Sequence, residues 1–257
     1  MSVFLHAFPI DVARVVRLAT RERLLPPGDD LGYAIHAMFA ATFATDAPRC
    51  WAFLAPGRGG GPNGRLLAYS ERPLDELKAV AAKFADPSFS APIGLEYAES
   101  KRMPTFAAGD RVRVRVRLRP VVRKGVDRPD HVSDRSPSRE RGRERDAYLA
   151  AVDASTAAGL PPEDRYTCYA RWTLPRLTDS GLSVQTVAVD AFRLTRILSR
   201  DRGGAAPVSR SPNGPDVEMI AAVTVDKPSA FSSALVSGIG RFRAFGFGMM
   251  LLSPPAP

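Results

Sequence analysis

Apolar and polar positions follow two rhythms along this chain, a period of two and a period near 3.6, and their order predicts the fold. Residues 2–8 read as a first strand. Leu31, Ile35, Met38, Phe39 and Thr42 then recur on one face of a helix that starts near Leu31, with Asp29 or Asp30 as its cap. Residues 50–55 form a short apolar run that ends in the loop signal PGRGGGPNG, and residues 65–70 complete a hairpin. Leu74, Leu77, Val80, Ala81 and Phe84 keep helical spacing, and a proline-containing stretch at 86–92 leads to a strand at 93–97. The order strand–helix–strand–strand–helix–strand is the ferredoxin-like arrangement.

The second half repeats the theme. Residues 111–119, RVRVRVRLR, alternate without a break, the strongest strand pattern in the chain, and Pro120 ends it. Residues 123–142 read as a polar loop, 143–158 as a helix, 166–174 and 184–198 as strands, and 201–215 as a second loop. A strand at 217–225, a helix at 228–236 with Pro at its start and Gly238 at its end, and a strand at 247–252 close the chain. The expected fold class is α+β, with two tandem ferredoxin-like (βαββαβ) domains, residues 1–100 and 101–257.

Composition narrows the class. A hydrophobic content of 45% in 257 residues supports a buried core and argues against global disorder. No apolar run reaches about 18 residues, so no membrane span is expected. The first residues, MSVFLHAFPIDVARVV, lack the basic start and cleavage site of a signal peptide. Cys50 and Cys168 stand far apart, which suits a reduced cytoplasm better than a disulfide framework or a structural zinc.

Charge adds a partner. The formal net charge is +9, which points to a polyanion, nucleic acid being the commonest. Arginine supplies 31 of the 36 basic residues, an excess that a codon bias alone would spread evenly along the chain. The distribution says more, because residues 111–145 alone hold 13 basic and 5 acidic side chains. Arg111, Arg113, Arg115, Arg117 and Arg119 share one face of their strand, and like charges in a row repel. A bound phosphate backbone relieves that repulsion; acidic neighbours on adjacent strands would do the same.

The candidate chemistry is sparse. The segment GIGRFRAFGFG brings four glycines, whose backbone can approach a ligand closely, and two cations, Arg241 and Arg243. It is neither a P-loop nor a dinucleotide fingerprint. Phe242, Phe245 and Phe247 can stack on bases or anchor the loop to the core. Of three histidines, His6 reads as structural and His131 as a solvated loop residue. His36 lies at the border of the apolar helix stripe, roughly 60° around the helix from Tyr33. No metal-ligand spacing and no G-x-S-x-G element is present. RNA cleavage by such a protein would use the 2′-hydroxyl as internal nucleophile with a side-chain acid or base, and neither metal nor cofactor.

Three segments together resemble the CasE family of CRISPR-associated endoribonucleases of type I-E Cascade, within the RAMP superfamily. They are DLGYAIH with the following AMFAATF, the basic run VRLRPVVRK, and SGIGRFRAFGFGMMLL. The resemblance implies cleavage of precursor CRISPR RNA at the 3′ base of the repeat hairpin, giving a 2′,3′-cyclic phosphate and a 5′-hydroxyl. It implies His36 as general acid or base and Tyr33 as its helper. RNA-binding residues would be Arg111, Arg113, Arg115, Arg117, Arg119, Arg123, Lys124, Gly238, Gly240, Arg241, Arg243, Gly246 and Gly248. Partners would be the repeat hairpin and other Cascade subunits, chiefly the backbone subunit, with no membrane. A binding-only RAMP subunit is the alternative. Some relatives carry a basic residue after the histidine, where AMFAATFA offers none, so transition-state charge would fall to Arg241, Arg243 or a strand arginine. The loops 57–64, 125–142 and 201–215 are longer or more polar than the family pattern needs and carry no assigned role.

Overall fold

The computed structural model describes residues 2–25, 30–57, 63–123, 144–201, 208–210 and 213–255. The first half runs β1 (Phe4–Pro9), α1 (Val12–Arg21), α2 (Gly32–Phe43), β2 (Trp51–Leu54), β3 (Arg65–Ser70), α3 (Leu74–Phe84), α4 (Pro87–Ser90) and β4 (Glu99–Arg102). Its four strands form one antiparallel sheet in the order β2-β3-β1-β4. The second half runs β5 (Arg111–Leu118), β6 (Val121–Arg123), β7 (Glu144–Asp146), α5 (Ala147–Ala157), α6 (Arg165–Asp179), β8 (Leu182–Arg196), β9 (Ser199–Asp201), β10 (Val208–Arg210), β11 (Asn213–Val225), α7 (Pro228–Ser237) and β12 (Met250–Ser253). Its main sheet has the order β12-β5-β11-β8, again antiparallel. In both sheets the first strand lies between the third and the fourth, which is the ferredoxin-like order, so the fold is α+β with two such domains.

Strand alternation decides what each sheet buries. In β3, Leu66 and Ala68 face a core shared with Ile35, Met38 and Phe39 of α2 and Leu77 of α3. Leu67 and Tyr69 face the other way, into a second core built from Val114, Val116 and Leu118 of β5, Met219 of β11, Trp172 of α6 and Phe231 of α7. The Tyr69 hydroxyl donates to the Met250 carbonyl at 3.1 Å across this joint. The second core therefore belongs to both halves of the chain.

Four expectations change. Residues 166–174, expected as a strand for their tyrosine, threonine and tryptophan content, lie inside α6. Asp164 caps that helix by accepting the Thr167 N–H at 2.9 Å, and Cys168, Tyr169, Trp172, Thr173 and Leu177 are its buried stripe. The strand expected at 93–97 reduces to one bridge between Ile93 and Ile10 and a 3-10 turn. The edge strand is β4, Glu-Ser-Lys-Arg, which pairs through its backbone and buries none of its side chains. Part of the loop expected at 201–215 is strand, because β9 pairs with β10 and β11 begins at Asn213. Helix α1 is an element the sequence reading lacks; Asp11 caps it through the Arg14 N–H at 2.9 Å.

Candidate functional site

The start of α2 is tied down by one carboxylate. Asp30 Oδ1 accepts the Gly32 N–H at 2.9 Å, and Asp30 Oδ2 accepts from Arg117 Nη2 at 3.2 Å. Arg117 also makes a two-pronged bond to Asp216, 2.8 Å on each prong, and its guanidinium lies 4.2 Å from the centroid of the Phe247 ring. Its backbone carbonyl accepts the Gly248 N–H at 2.7 Å. Arg117 thus holds the catalytic-candidate helix with its side chain and the glycine-rich segment with its main chain. Burial opposes ionisation of Asp216, but Arg117 and Arg193 outweigh it and hold the carboxyl below its ordinary range.

The glycine-rich segment is folded back on itself. A 3-10 turn, Arg243–Phe245, sits between Phe242 and Gly246, both left-handed at φ of 60° and 83°. Trp51 Nε1 donates to the Ala244 carbonyl at 3.1 Å. A Cβ on Gly246 would stand 2.7 Å from a Trp51 ring carbon, and one on Gly32 would stand 2.7 Å from the Phe245 carbonyl oxygen. Both glycines are therefore demanded by close approach between α2, β2 and the turn.

That approach brings the predicted residues together. Tyr33 and His36 are half-buried on α2, ring centroids 6.2 Å apart. Phe245 stacks on Tyr33 at 5.9 Å and meets the His36 ring edge to face at 5.3 Å. The imidazole is therefore at the seam between the two halves, beside the segment that carries Arg241 and Arg243, and not in a sealed interior.

The arginines divide along β5. Arg111 and Arg113 are exposed, and among the described residues no carboxylate pairs with either. Arg115 is exposed but faces Asp190 at 2.9 Å and Glu218 at 3.3 Å. Arg117 is enclosed as described. Arg119 is only 2% exposed, its Nη1 donating to the Thr195 and Gly214 carbonyls at 3.2 and 3.5 Å, and burial lowers its pKa. Acidic neighbours on adjacent strands thus relieve the inner part of the row, one of the two sources weighed from sequence. Arg123 is exposed at the end of β6. Arg241 pairs with Glu144 at the start of β7, and Arg243 donates to the Ser237 and Gly238 carbonyls at 3.0 and 3.4 Å, closing α7. The amides of Gly238, Ile239, Gly246 and Gly248 bond within the protein. Those of Gly240 and Arg241 find no acceptor among the described residues. Lys124 and His131 lie outside the described residues, as do most of the loop at 57–64, all of 125–142 and part of 201–215.

Sequence reasoning did not find Asp216 or Trp51 and saw Asp30 only as a cap. Asp216 follows a proline at the head of a strand, and its importance lies in a cross-strand partner that no spacing reveals. Among the described residues no group of three or more His, Cys, Asp and Glu side chains is placed to hold a metal ion. No described helix is long and apolar enough to cross a membrane.

Two ferredoxin-like domains joined by a common core, with a glycine-rich turn pinned between a helix and a basic strand, define the class of protein. A model described as CRISPR associated protein matches residues 4–254, and the chain belongs to that family. Among solved structures it is similar to the CRISPR endoribonuclease Cse3 bound to a 19-nucleotide RNA, at 16% identity, TM-score 0.61, over 99% of this chain and 100% of that one. It is also similar to Thermus thermophilus Cse3 bound to an RNA representing a pre-cleavage complex, at 16% identity, TM-score 0.59, with the same coverage. A third likeness is to a chain of a CRISPR RNA-guided surveillance complex in a pre-nicking state, at 16% identity, TM-score 0.55, over 98% and 100% of the two chains. At such identities the likeness establishes the fold. No curated protein matches the chain.

Proposed function

We propose that this protein is a metal-independent endoribonuclease that cuts precursor CRISPR RNA at the 3′ base of the repeat hairpin and keeps its product. The observation that carries the proposal is the His36–Tyr33–Phe245 cluster, where a half-buried imidazole meets the glycine-rich turn beside the arginine strand. In this reading residues 1–100 supply the catalytic helix and residues 101–257 supply the grip. Family membership and the full-length likeness to RNA-bound Cse3 support it.

The chemistry follows from the groups at hand. The 2′-hydroxyl before the scissile phosphate attacks phosphorus, and the bond to the 5′-oxygen of the next nucleotide breaks. One side becomes a 2′,3′-cyclic phosphate and the other a 5′-hydroxyl. His36 exchanges the proton as general acid or base, and Tyr33 orients the reacting group. The exposed Arg111, Arg113 and Arg123 and the open Gly240 and Arg241 amides meet phosphate oxygens; Arg115 can join them by exchanging a carboxylate for a phosphate. Recognition of the A-form stem rests on shape and backbone, because its major groove is too narrow to read. After the cut the protein keeps the hairpin and joins the cytoplasmic surveillance complex, docking chiefly on its backbone subunit.

The test is His36→Ala with an end-labelled repeat hairpin. Single-turnover cleavage should fall by about 10²- to 10⁴-fold while hairpin affinity is retained. EDTA should leave wild-type cleavage intact. Unchanged cleavage in the variant would remove His36 from the reaction, and dependence on a divalent ion would replace the mechanism. A wild-type protein that binds the hairpin without cutting it would be a binding-only subunit.

A further inference from the structure

We infer that Phe245 is a positioning residue for the proposed cleavage: it holds the His36 imidazole and the Tyr33 ring in register with the RNA-binding half of the protein. The inference rests on the endonuclease reading and adds a residue to it.

The geometry is specific. His36 and Tyr33 stand on α2, whereas Phe245 comes from the other domain, more than two hundred residues along the chain. Phe245 touches both candidate rings at once, flat on Tyr33 with 14° between planes and edge-on to His36 with 71°. Aromatic pairs in stacked and edge geometries prefer these orientations over free rotation, so one phenyl ring restricts two neighbours.

The turn that carries Phe245 is held more firmly than a surface loop. Phe242 occupies a left-handed conformation at φ 60°, which is strained for a non-glycine residue. Such strain persists only where surrounding contacts over-determine it. Here they are the Trp51 hydrogen bond to Ala244, the fit of Gly246 against Trp51 and of Gly32 against Phe245, and the Arg119 guanidinium 5.3 Å from the Phe242 ring. Together they fix the turn at three places: Trp51 of β2, the start of α2, and Arg119 just beyond β5. Their common effect is the placement of Phe245.

The same turn adjoins the groups assigned to phosphate. Arg241 and the open Gly240 amide lie a few residues before Phe245 on one tightly folded segment. An RNA strand settling on that segment would press the turn against α2, and Phe245 would transmit the displacement to His36. Binding on one domain and proton transfer on the other are thereby linked through one ring.

The experiment uses the full-length chain with Phe245→Ala, Phe245→Leu and Phe245→Tyr. Two quantities are measured for each: the single-turnover rate constant at saturating protein, across pH, and affinity for a hairpin with a 2′-deoxy residue at the cut. Phe245→Ala and Phe245→Leu should lose about 30- to 100-fold in rate, the scale of a misplaced catalytic group, with affinity within about threefold of wild type. The pH–rate profile should shift in Phe245→Ala, where the imidazole loses its apolar wall, and less in Phe245→Leu, which keeps an apolar side chain beside it. Phe245→Tyr, which keeps the ring, should restore the rate. Phe245→Leu guards against a folding defect in the alanine variant, because it keeps the apolar bulk. A Phe245→Leu protein with wild-type rate overturns the inference, as does a rate loss matched by an equal loss of affinity. His36→Ala is run in parallel. If that variant is inert while Phe245→Leu is fully active, only this inference fails. If His36→Ala itself cuts normally, the endonuclease assignment of His36 fails.

Discussion

The two sheets have the same strand order and opposite outer faces. In the N-terminal sheet the central strand β3 is apolar on both sides: Leu66 and Ala68 pack on α2 and α3, Leu67 and Tyr69 on the shared core. The C-terminal sheet buries Val114, Val116 and Leu118 on one side and carries its arginine row on the other. One topology thus yields a scaffold in one half and a charged surface in the other. The difference is plainest at alternate positions of β5, since period-two alternation lets a face change character without disturbing its reverse. The arginine row itself is graded. Its outer end, Arg111 and Arg113, is open to solvent, and its inner end is half-buried at Arg117 and buried at Arg119. Five residues identical in type and spacing therefore do two different jobs.

The strongest way to break this comparison is to remove the acid that makes the inner end interior. Asp216 is 2% exposed and binds both Arg117 and Arg193. Asp216→Ala leaves the Arg117 charge enclosed with only Asp30 beside it, and should destabilise the fold by about 3–5 kcal/mol. Urea unfolding measures it; a change below about 1 kcal/mol would mean that the inner arginines are as free as the outer ones. Next in size is Tyr69→Phe, which strands the Met250 carbonyl in the shared core. The expected cost is about 1–2 kcal/mol, and a neutral result would show that the joint between the sheets does not depend on that bond.

Much of this contrast was legible in the sequence. The alternation RVRVRVRLR announces a strand with one apolar and one basic face, and β5 has both. The helices α2, α3 and α7 follow from apolar spacing and end signals. Strand β4 escaped because an edge strand held by backbone pairing needs no apolar alternation. Helix α6 escaped because aromatic and β-branched residues on its buried stripe imitate strand composition. At the site, Tyr33 and His36 were legible as neighbours on one helix. Their contact with Phe245, and the division of the arginines, depend on partners a hundred or more residues away, which spacing along one element does not encode.

Acid tests the closed sheet. His6 is fully buried; its Nε2 donates to the Arg72 carbonyl at 3.0 Å and its Nδ1 has no partner among the described residues. Burial lowers its pKa from the ordinary 6.5, only partly offset by that hydrogen bond. The folded state therefore takes up the proton less readily than the unfolded chain. The stabilisation is complete above the unfolded value near 6.5 and is lost as pH falls through the lower folded value. Unfolding midpoints at about pH 7.5 and about pH 5.5 should drop for wild type and drop less for His6→Gln. An equal drop in both would assign the titration to another group.

The smallest effect on the fold should come with the clearest effect on binding, at the outer end of the arginine row. Arg111 and Arg113 are exposed and lack carboxylate partners among the described residues, so their replacement by alanine should change stability by no more than about 0.5 kcal/mol. If each meets one phosphate, each replacement should reduce the slope of log affinity against log salt by about 0.7–0.9 for the RNA hairpin, because one fewer counterion is displaced. The double variant should lose about twice as much slope, the two sites being independent solvent-facing contacts. Arg115 behaves differently, because phosphate must first displace Asp190 and Glu218, and Arg115→Ala should lower the slope by less than either outer replacement. The ordering matters more than the size. A binding slope that responds to Arg115 as strongly as to Arg111 would mean that RNA strips the acidic partners away, and the grading seen along the strand would then belong to the RNA-free protein alone.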